Sequence, residues 1–198
     1  MRRHAGARPR VSIDTSKSLI KFCNSCGAEV THRIPEGDSL LRAVCDACGA
    51  IHYQNPKIVV GCLPAHGDRI LICKRAIEPR YGLWTLPAGF MELDESASEG
   101  AAREALEEAN ARVEIEDLYT VYSIPHISQV YMMFRARLLD TDVSPGVESL
   151  EVKLVREEEI PWDQLAFAMV KRTLEHYLED RKRGTFTPRF GDIRPPQR

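Results

Sequence analysis

Three glutamates, Glu104, Glu107 and Glu108, are spaced so that one helix would carry them together. At about 100° of rotation per residue they fall within a single arc about 100° wide. Like charges so placed repel, which gives a bare helix no reason to gather them. Clustered carboxylate oxygens are, however, the hard ligands that Mg²⁺ or Mn²⁺ takes when it shares its shell with substrate phosphates. The competing reading is a solvated acidic face.

A second set of residues suits a softer metal. Cys23-Asn-Ser-Cys26-Gly and Cys45-Asp-Ala-Cys48-Gly are separated by 18 residues, Gly27 to Val44. Two such knuckles predict a zinc ribbon over residues 19–53. The glycine after each pair permits the tight turn that aims N–H groups at sulfur. With Cys at all four ligand positions the Zn²⁺ site is closed and structural. A module this small cannot fold on an apolar core alone, so zinc supplies much of its stability. His32 and His52 are read as bystanders, and Cys62 and Cys73, in apolar runs, as core. Paired cysteines of this kind imply a reducing compartment, and a cytoplasmic location is expected.

The 198 residues suffice for one ordinary domain beside that module. A hydrophobic content of 43% and a charged content of 28% describe a soluble globular chain. The net charge of −2 gives no drive towards nucleic acid or anionic membrane. Lys21, Arg33 and Arg42 of the ribbon are too interspersed with acids to form a nucleic-acid patch. No apolar run is long enough to span a membrane. Residues 1–18 carry Arg2, Arg3, Arg8 and Arg10 without an apolar stretch to follow, and are read as a disordered basic tail.

The elements that must position the acids follow from local pattern. Ser96 and Glu99 have capping-box spacing, which starts a helix at Ser96. Asn110 suits the left-handed position that ends it. Ala101, Ala102, Ala105, Leu106 and Ala109 form the adjoining apolar arc, and small residues there let the backbone approach a sheet. Strands are predicted at 57–63, 69–75, 112–124, 129–139 and 152–155, with a turn at His66-Gly67-Asp68. A short strand over 82–89 runs into the acidic stretch, with Trp84 as a core anchor. Arg75 ends its strand at the edge of a cleft, where it could meet phosphate or nucleotide. Ser144-Pro145-Gly146 is a turn, followed by Glu148 and Glu151. Pro161 opens a last helix from Trp162 to about Lys182, stopped by Gly184. Residues 184–198 form a Pro- and Arg-rich tail, ordered only in part. The class is α/β, a mixed sheet with helices on both faces.

Gly89, Glu95, Arg103-Glu104 and Glu107-Glu108 match the pattern G-x5-E-x7-R-E-U-x-E-E-x-G-U, where U is apolar. Six of its seven fixed positions are filled, and Asn110 stands where the pattern has Gly. This resembles the Nudix hydrolases, which cleave a nucleoside diphosphate linked to another moiety. The resemblance implies an α/β/α sandwich over 56–183, preceded by the ribbon. It also implies that Glu104, Glu107 and Glu108 hold catalytic Mg²⁺ or Mn²⁺, and that the carbonyl of Gly89, or of Ala88, faces a metal. Arg103 would orient a box glutamate, and Glu95 would lie beside the metals or pair with Arg103. A late carboxylate would add a metal ligand or general base. Glu151 is the first choice, by its place at a strand start, and Glu148 the second, grouped with Arg75 near the substrate.

Y-Q-N-P-K from Tyr53, G-L-W-T-L-P-A-G-F-M-E from Gly82, P-G-V-E-S-L-E from Pro145 and L-A-F from Leu165 look like a ribbon-bearing Nudix subgroup. That subgroup includes plant enzymes acting on FAD and ADP-ribose, and Pro125 after the box is similar to ADP-ribose-type enzymes. FAD or ADP-ribose, releasing AMP, is therefore ranked first. NADH comes second, because the S-Q-P-W-P-F-P-x-S motif of NADH pyrophosphatases is absent. Sanitising of 8-oxo-dGTP or other NTPs comes third, and the L-L-T-x-R signature of coenzyme A enzymes is missing. Outside enzymes, the alternatives are a nucleotide-sensing regulator, which the intact glutamates argue against, and an RNA- or protein-binding factor acting through the ribbon. The expected partner is a nucleotide small molecule, with neither membrane nor nucleic acid, and the resemblance suggests a homodimer.

Overall fold

The structure, a computed structural model, describes residues 20–195, so the basic tail over 1–18 lies outside the described residues. The chain divides into two compact units between Asn55 and Pro56.

The first unit is a three-stranded antiparallel sheet of β1 (Thr31–Arg33), β2 (Arg42–Val44) and β3 (Ile51–His52), with β2 in the middle. Its two knuckles are built alike. Gly27 N–H donates to the Cys23 carbonyl and Gly49 N–H to the Cys45 carbonyl. Both glycines are left-handed, at φ 75° and 76°, a conformation that glycine adopts without steric cost.

The second unit is a twisted mixed sheet in the order β10-β5-β4-β9-β8-β11. The strands are β4 (Lys57–His66), β5 (Arg69–Arg75), β8 (Val113–Ile124), β9 (Gln129–Leu138), β10 (Ser149–Val155) and β11 (Arg189–Asp192). Two short strands, β6 (Trp84–Thr85) and β7 (Ala88–Phe90), pair with β5 and β4. Helix α1 (Ala97–Ala109) and helix α2 (Ala168–Arg183) cover opposite faces. Strand alternation sorts the side chains between them. Ile70 and Ile72 of β5 face the layer of Met169, Leu174 and Leu178 from α2. Leu71 and Cys73 face the layer of Ala101, Ala105 and Ala109 from α1. Those alanines are fully buried, and the approach is close enough that a Cβ on Gly100 would lie 2.7 Å from Val60.

The last helix differs from the sequence expectation. Trp162–Gln164 is a single 3₁₀ turn, and α2 starts at Ala168. The intervening backbone is extended because the sheet takes it: Leu165 bridges Trp84, and Ala166 N–H donates to the Trp84 carbonyl. The segment after Gly184 is likewise drawn in, with β11 added parallel to β8. The buried carboxylate of Asp180 on α2 holds it there, accepting from Arg189 at 2.7 Å, from the Tyr119 hydroxyl at 2.8 Å and from Thr187 N–H at 3.2 Å. Trp84, Cys62 and Cys73 are buried in the core, as expected.

Candidate active site and metal centre

In the ribbon, the four Sγ atoms of Cys23, Cys26, Cys45 and Cys48 lie within 4.8 Å of one another. Cys23 and Cys48 are 3.6 Å apart, and Cys26 and Cys45 3.5 Å. Tetrahedral zinc at about 2.3 Å from each sulfur requires S···S separations of about 3.8 Å, so the cradle fits the ion. The local electrostatics call for a cation. Burial raises the Cys23 thiol, but the N–H groups of Ser25 and Cys26 and the His52 side chain pull it down to about 5. The Ala50 N–H lowers Cys48, yet its three neighbouring sulfurs push it up to about 12. Four thiolates this close need a shared positive charge. His32 is exposed on β1. His52 lies outside the four-sulfur cluster, with its Nε2 3.3 Å from the Cys23 sulfur.

In the second unit, α1 forms as its sequence demands. Ser96 Oγ accepts from Glu99 N–H while the Glu99 carboxylate accepts from Ser96 N–H, a complete capping box. Asn110 closes the other end in the left-handed conformation, φ 48° and ψ 28°. Between these caps Glu104 and Glu108 are buried and Glu107 is exposed, all three lining one cleft of about 1400 Å³.

Arg103 organises the acids. Its Nε and Nη2 grip both oxygens of Glu95 at 3.0 and 2.8 Å, Nη1 reaches Glu104 at 2.7 Å and Glu107 at 3.0 Å, and Nη2 also donates to the Phe90 carbonyl. The Arg103 side chain and the Glu92 N–H bring Glu95 down to about 2. Gly89 sits directly against Glu104, since a Cβ there would lie 2.3 Å from Glu104 Oε1. Glu108 has no such partner. Burial, then Glu104 and Glu148, push its carboxyl up to about 8 against the pull of Arg75 and of the Ala88 N–H. Burial also raises Glu104, with Arg103 opposing.

The structure separates the two late carboxylates. Glu148 lines the cleft with the box glutamates, and its charge reaches both Glu104 and Glu108. Glu151, the first choice from sequence, does not line that cleft. It pairs with Lys153 at 2.7 Å and Lys74 at 3.8 Å, in a separate small hollow beside Trp84. The reason is register. Strand β10 begins at Ser149, which pairs with Arg75, so Glu148 occupies the strand entry and Glu151 lies inside it. Arg75 lies in the cleft, its guanidinium 5.2 Å from the Phe167 ring centroid. Beyond it the cleft is lined by Ile124, Tyr131, Met169 and Val170.

The carboxylates are not drawn together like the thiolates, for among the described residues only the cysteines form a tight cluster of potential ligands. Glu104, Glu107, Glu108 and Glu148 instead line one open cleft. Such a donor set fits a hard cation that keeps waters and takes the rest of its shell from substrate.

A four-cysteine ribbon followed by an α/β/α sandwich with this acid-lined cleft defines a Nudix-type protein. The NUDIX domain model matches residues 55–180, and the Nudix N-terminal zinc-ribbon model matches residues 21–54. The chain belongs to the NUDIX family. A crystal structure of a NUDIX hydrolase from Nitrosomonas europaea is 59% identical with a TM-score of 0.86, covering 88% of this chain and 99% of that one. The NAD-capped RNA hydrolase NudC of Stutzerimonas stutzeri is 30% identical over 144 residues, 70% of this chain and 49% of that protein. The ADP-ribose pyrophosphatase of Methanocaldococcus jannaschii is 27% identical over 121 residues, 58% of this chain and 69% of that protein. The chain spans about half the length of the NudC relative. Among the described residues, no helix is long and apolar enough to cross a membrane.

Proposed function

We propose that this chain hydrolyses the diphosphate bond of a nucleoside diphosphate linked to another moiety. The observation that carries the reading is the cleft itself. It is lined by Glu104, Glu107, Glu108 and Glu148 together with Arg75, Tyr131 and Phe167. A diphosphate belongs with the acids and a base or second nucleoside against the aromatic and apolar side chains. Mg²⁺ or Mn²⁺ held by the box glutamates, Glu148 and the Gly89 carbonyl would supply charge neutralisation of the phosphate oxygens and acidify an attacking water. Arg103 aims Glu104 and Glu107, with Glu95 fixing the guanidinium from behind. Arg75, also in the cleft, offers a positive charge for a phosphate oxygen. Glu148, exposed in the cleft and outside the reach of Arg103, is the late carboxylate this arrangement favours over Glu151.

ADP-ribose is the first substrate choice, in keeping with the name of the archaeal relative. An NAD-type dinucleotide, free or at an RNA end, is the second, and it rests on the name of the NudC relative. FAD, ranked level with ADP-ribose from the sequence, now comes third because it rests on the subgroup resemblance alone. The test is AMP release in Mg²⁺ from ADP-ribose, NADH, FAD and NAD-capped RNA, beside an NTP panel. AMP with ribose 5-phosphate, or with the corresponding mononucleotide, supports the reading. Pyrophosphate release from an NTP alone would move the chain to the sanitising branch. Silence across the panel, with zinc bound and the fold intact, would overturn hydrolysis in favour of nucleotide sensing.

A further inference from the structure

The position where this chain departs from the box pattern carries more than a helix stop. Asn110 ends α1 in the left-handed region, which Gly would enter at no steric cost. The side chain does what Gly could not. Its Nδ2 donates to the carbonyl and the hydroxyl of Ser144, both at 3.1 Å, with the Pro145 carbonyl at 3.5 Å. The backbone continues the seam. Ser144 N–H donates to the Ala109 carbonyl and Gly146 N–H to the Glu108 carbonyl, each at 3.0 Å. The last carbonyls of α1, which a helix leaves unpaired, are thus taken by the 144–146 loop. Contact there is so tight that a Cβ on Gly146 would lie 1.7 Å from the Glu107 carbonyl oxygen.

Two residues further on, the same loop delivers Glu148. Its carbonyl accepts from Ala76 N–H at 2.8 Å, next to Arg75. The loop is therefore fixed at one end to the helix that bears the box glutamates and at the other to the strand that bears Arg75. Val147 between them is almost wholly exposed and contributes no packing to hold it.

We infer that Asn110 is a positioning residue that clasps the 144–148 loop to the end of α1 and so holds Glu148 against the box. The inference rests on the hydrolase reading, and its test separates the two. Asn110→Gly keeps the left-handed cap and removes only the clasp. It should leave zinc content and thermal stability unchanged and speed hydrogen exchange at Ser144 and Gly146. It should weaken Mn²⁺ binding and lower kcat, each about 10-fold, with KM little altered, the usual scale for losing a group that orients a ligand. Because Asn110 acts through Glu148, adding Asn110→Gly to Glu148→Gln should cost nothing further. Wild-type Mn²⁺ affinity and exchange rates in Asn110→Gly, or losses that multiply in the double variant, would overturn the clasp. An unaffected Glu148→Gln enzyme would overturn it too, leaving nothing to position. The hydrolase reading stands or falls separately, on whether the wild-type chain releases AMP from any member of the substrate panel.

Discussion

Glu108→Gln should stabilise the metal-free protein while removing its activity. Glu108 is buried beside Glu104 and Glu148, and its carboxyl is pushed up to about 8 from an unfolded value near 4.5. Between those values the folded protein holds a proton that the unfolded chain releases. The folded state then binds more protons, so stability falls as pH rises. Stability from the protonated form is fully present below about 4.5 and is lost as pH passes through about 8. Each pH unit in that window costs up to about 1.4 kcal/mol. Gln has nearly the same shape and no charge, so the variant escapes this loss. The stability advantage of Glu108→Gln over wild type should grow by about 2 to 3 kcal/mol between pH of about 5.5 and 7.5. That corresponds to roughly 5–10 °C in melting temperature for a chain of this size. The assay is thermal and urea unfolding of both proteins across that range, in buffer free of added divalent metal and of chelator, which leaves the ribbon's zinc in place. Added Mg²⁺ favours the ionised carboxylate, so it should raise the wild-type melting temperature and flatten its pH slope, with a smaller effect on the variant. A stability difference independent of pH, or a variant less stable than wild type throughout, would refute the account of Glu108 as a buried acid whose ionisation opposes folding.

Three further outcomes test other parts of the molecule. Cys45→Ser removes one of four sulfurs and should release zinc and unfold the ribbon, read by metal analysis and thermal unfolding; unchanged zinc content and stability would sink the structural-zinc assignment. Gly89→Ala places a methyl where the Glu104 carboxylate now lies, 2.3 Å from Oε1. The flexible carboxylate can move aside, so the fold should survive while turnover drops at least about 10-fold, and full activity would show that Glu104 has no fixed task. Asp180→Ala leaves Arg189, Tyr119 and Thr187 without their shared acceptor and should cost about 3 kcal/mol in urea unfolding, with β11 amides exchanging faster. Retained protection there would mean that other contacts hold the strand.

The parts of this molecule legible in the sequence are those written within one turn or one knuckle. The capping box at Ser96 and Glu99, the acidic arc and the two Cys pairs each depend on spacings of a few residues, which helix or turn geometry converts directly into neighbours. The α1 boundaries came out as expected for that reason. What stayed illegible depends on pairing between distant segments. Pro161 is a sound helix-start signal, yet the sheet edge at Trp84 takes the next residues and delays α2 to Ala168. The Pro- and Arg-rich end reads as a tail because nothing local shows that a buried Asp180 waits for Arg189.

The choice between Glu148 and Glu151 shows most clearly where local reading stops. Both acids lie near one predicted strand, three positions apart, and either could face a cleft. The outcome turns on where pairing with β5 begins, and that is set by the loop before it. Gly146 must lack a side chain to lie against α1, and Asn110 must reach across 34 positions of sequence to hold Ser144. Once the loop is seated, Ser149 meets Arg75 and β10 starts, which leaves Glu148 at the mouth of the cleft. The next acid, Glu151, is carried past a register irregularity to the lysines of the neighbouring hollow. The same three-dimensional seam therefore explains why the box pattern identified Glu104, Glu107 and Glu108 and could not choose between Glu148 and Glu151.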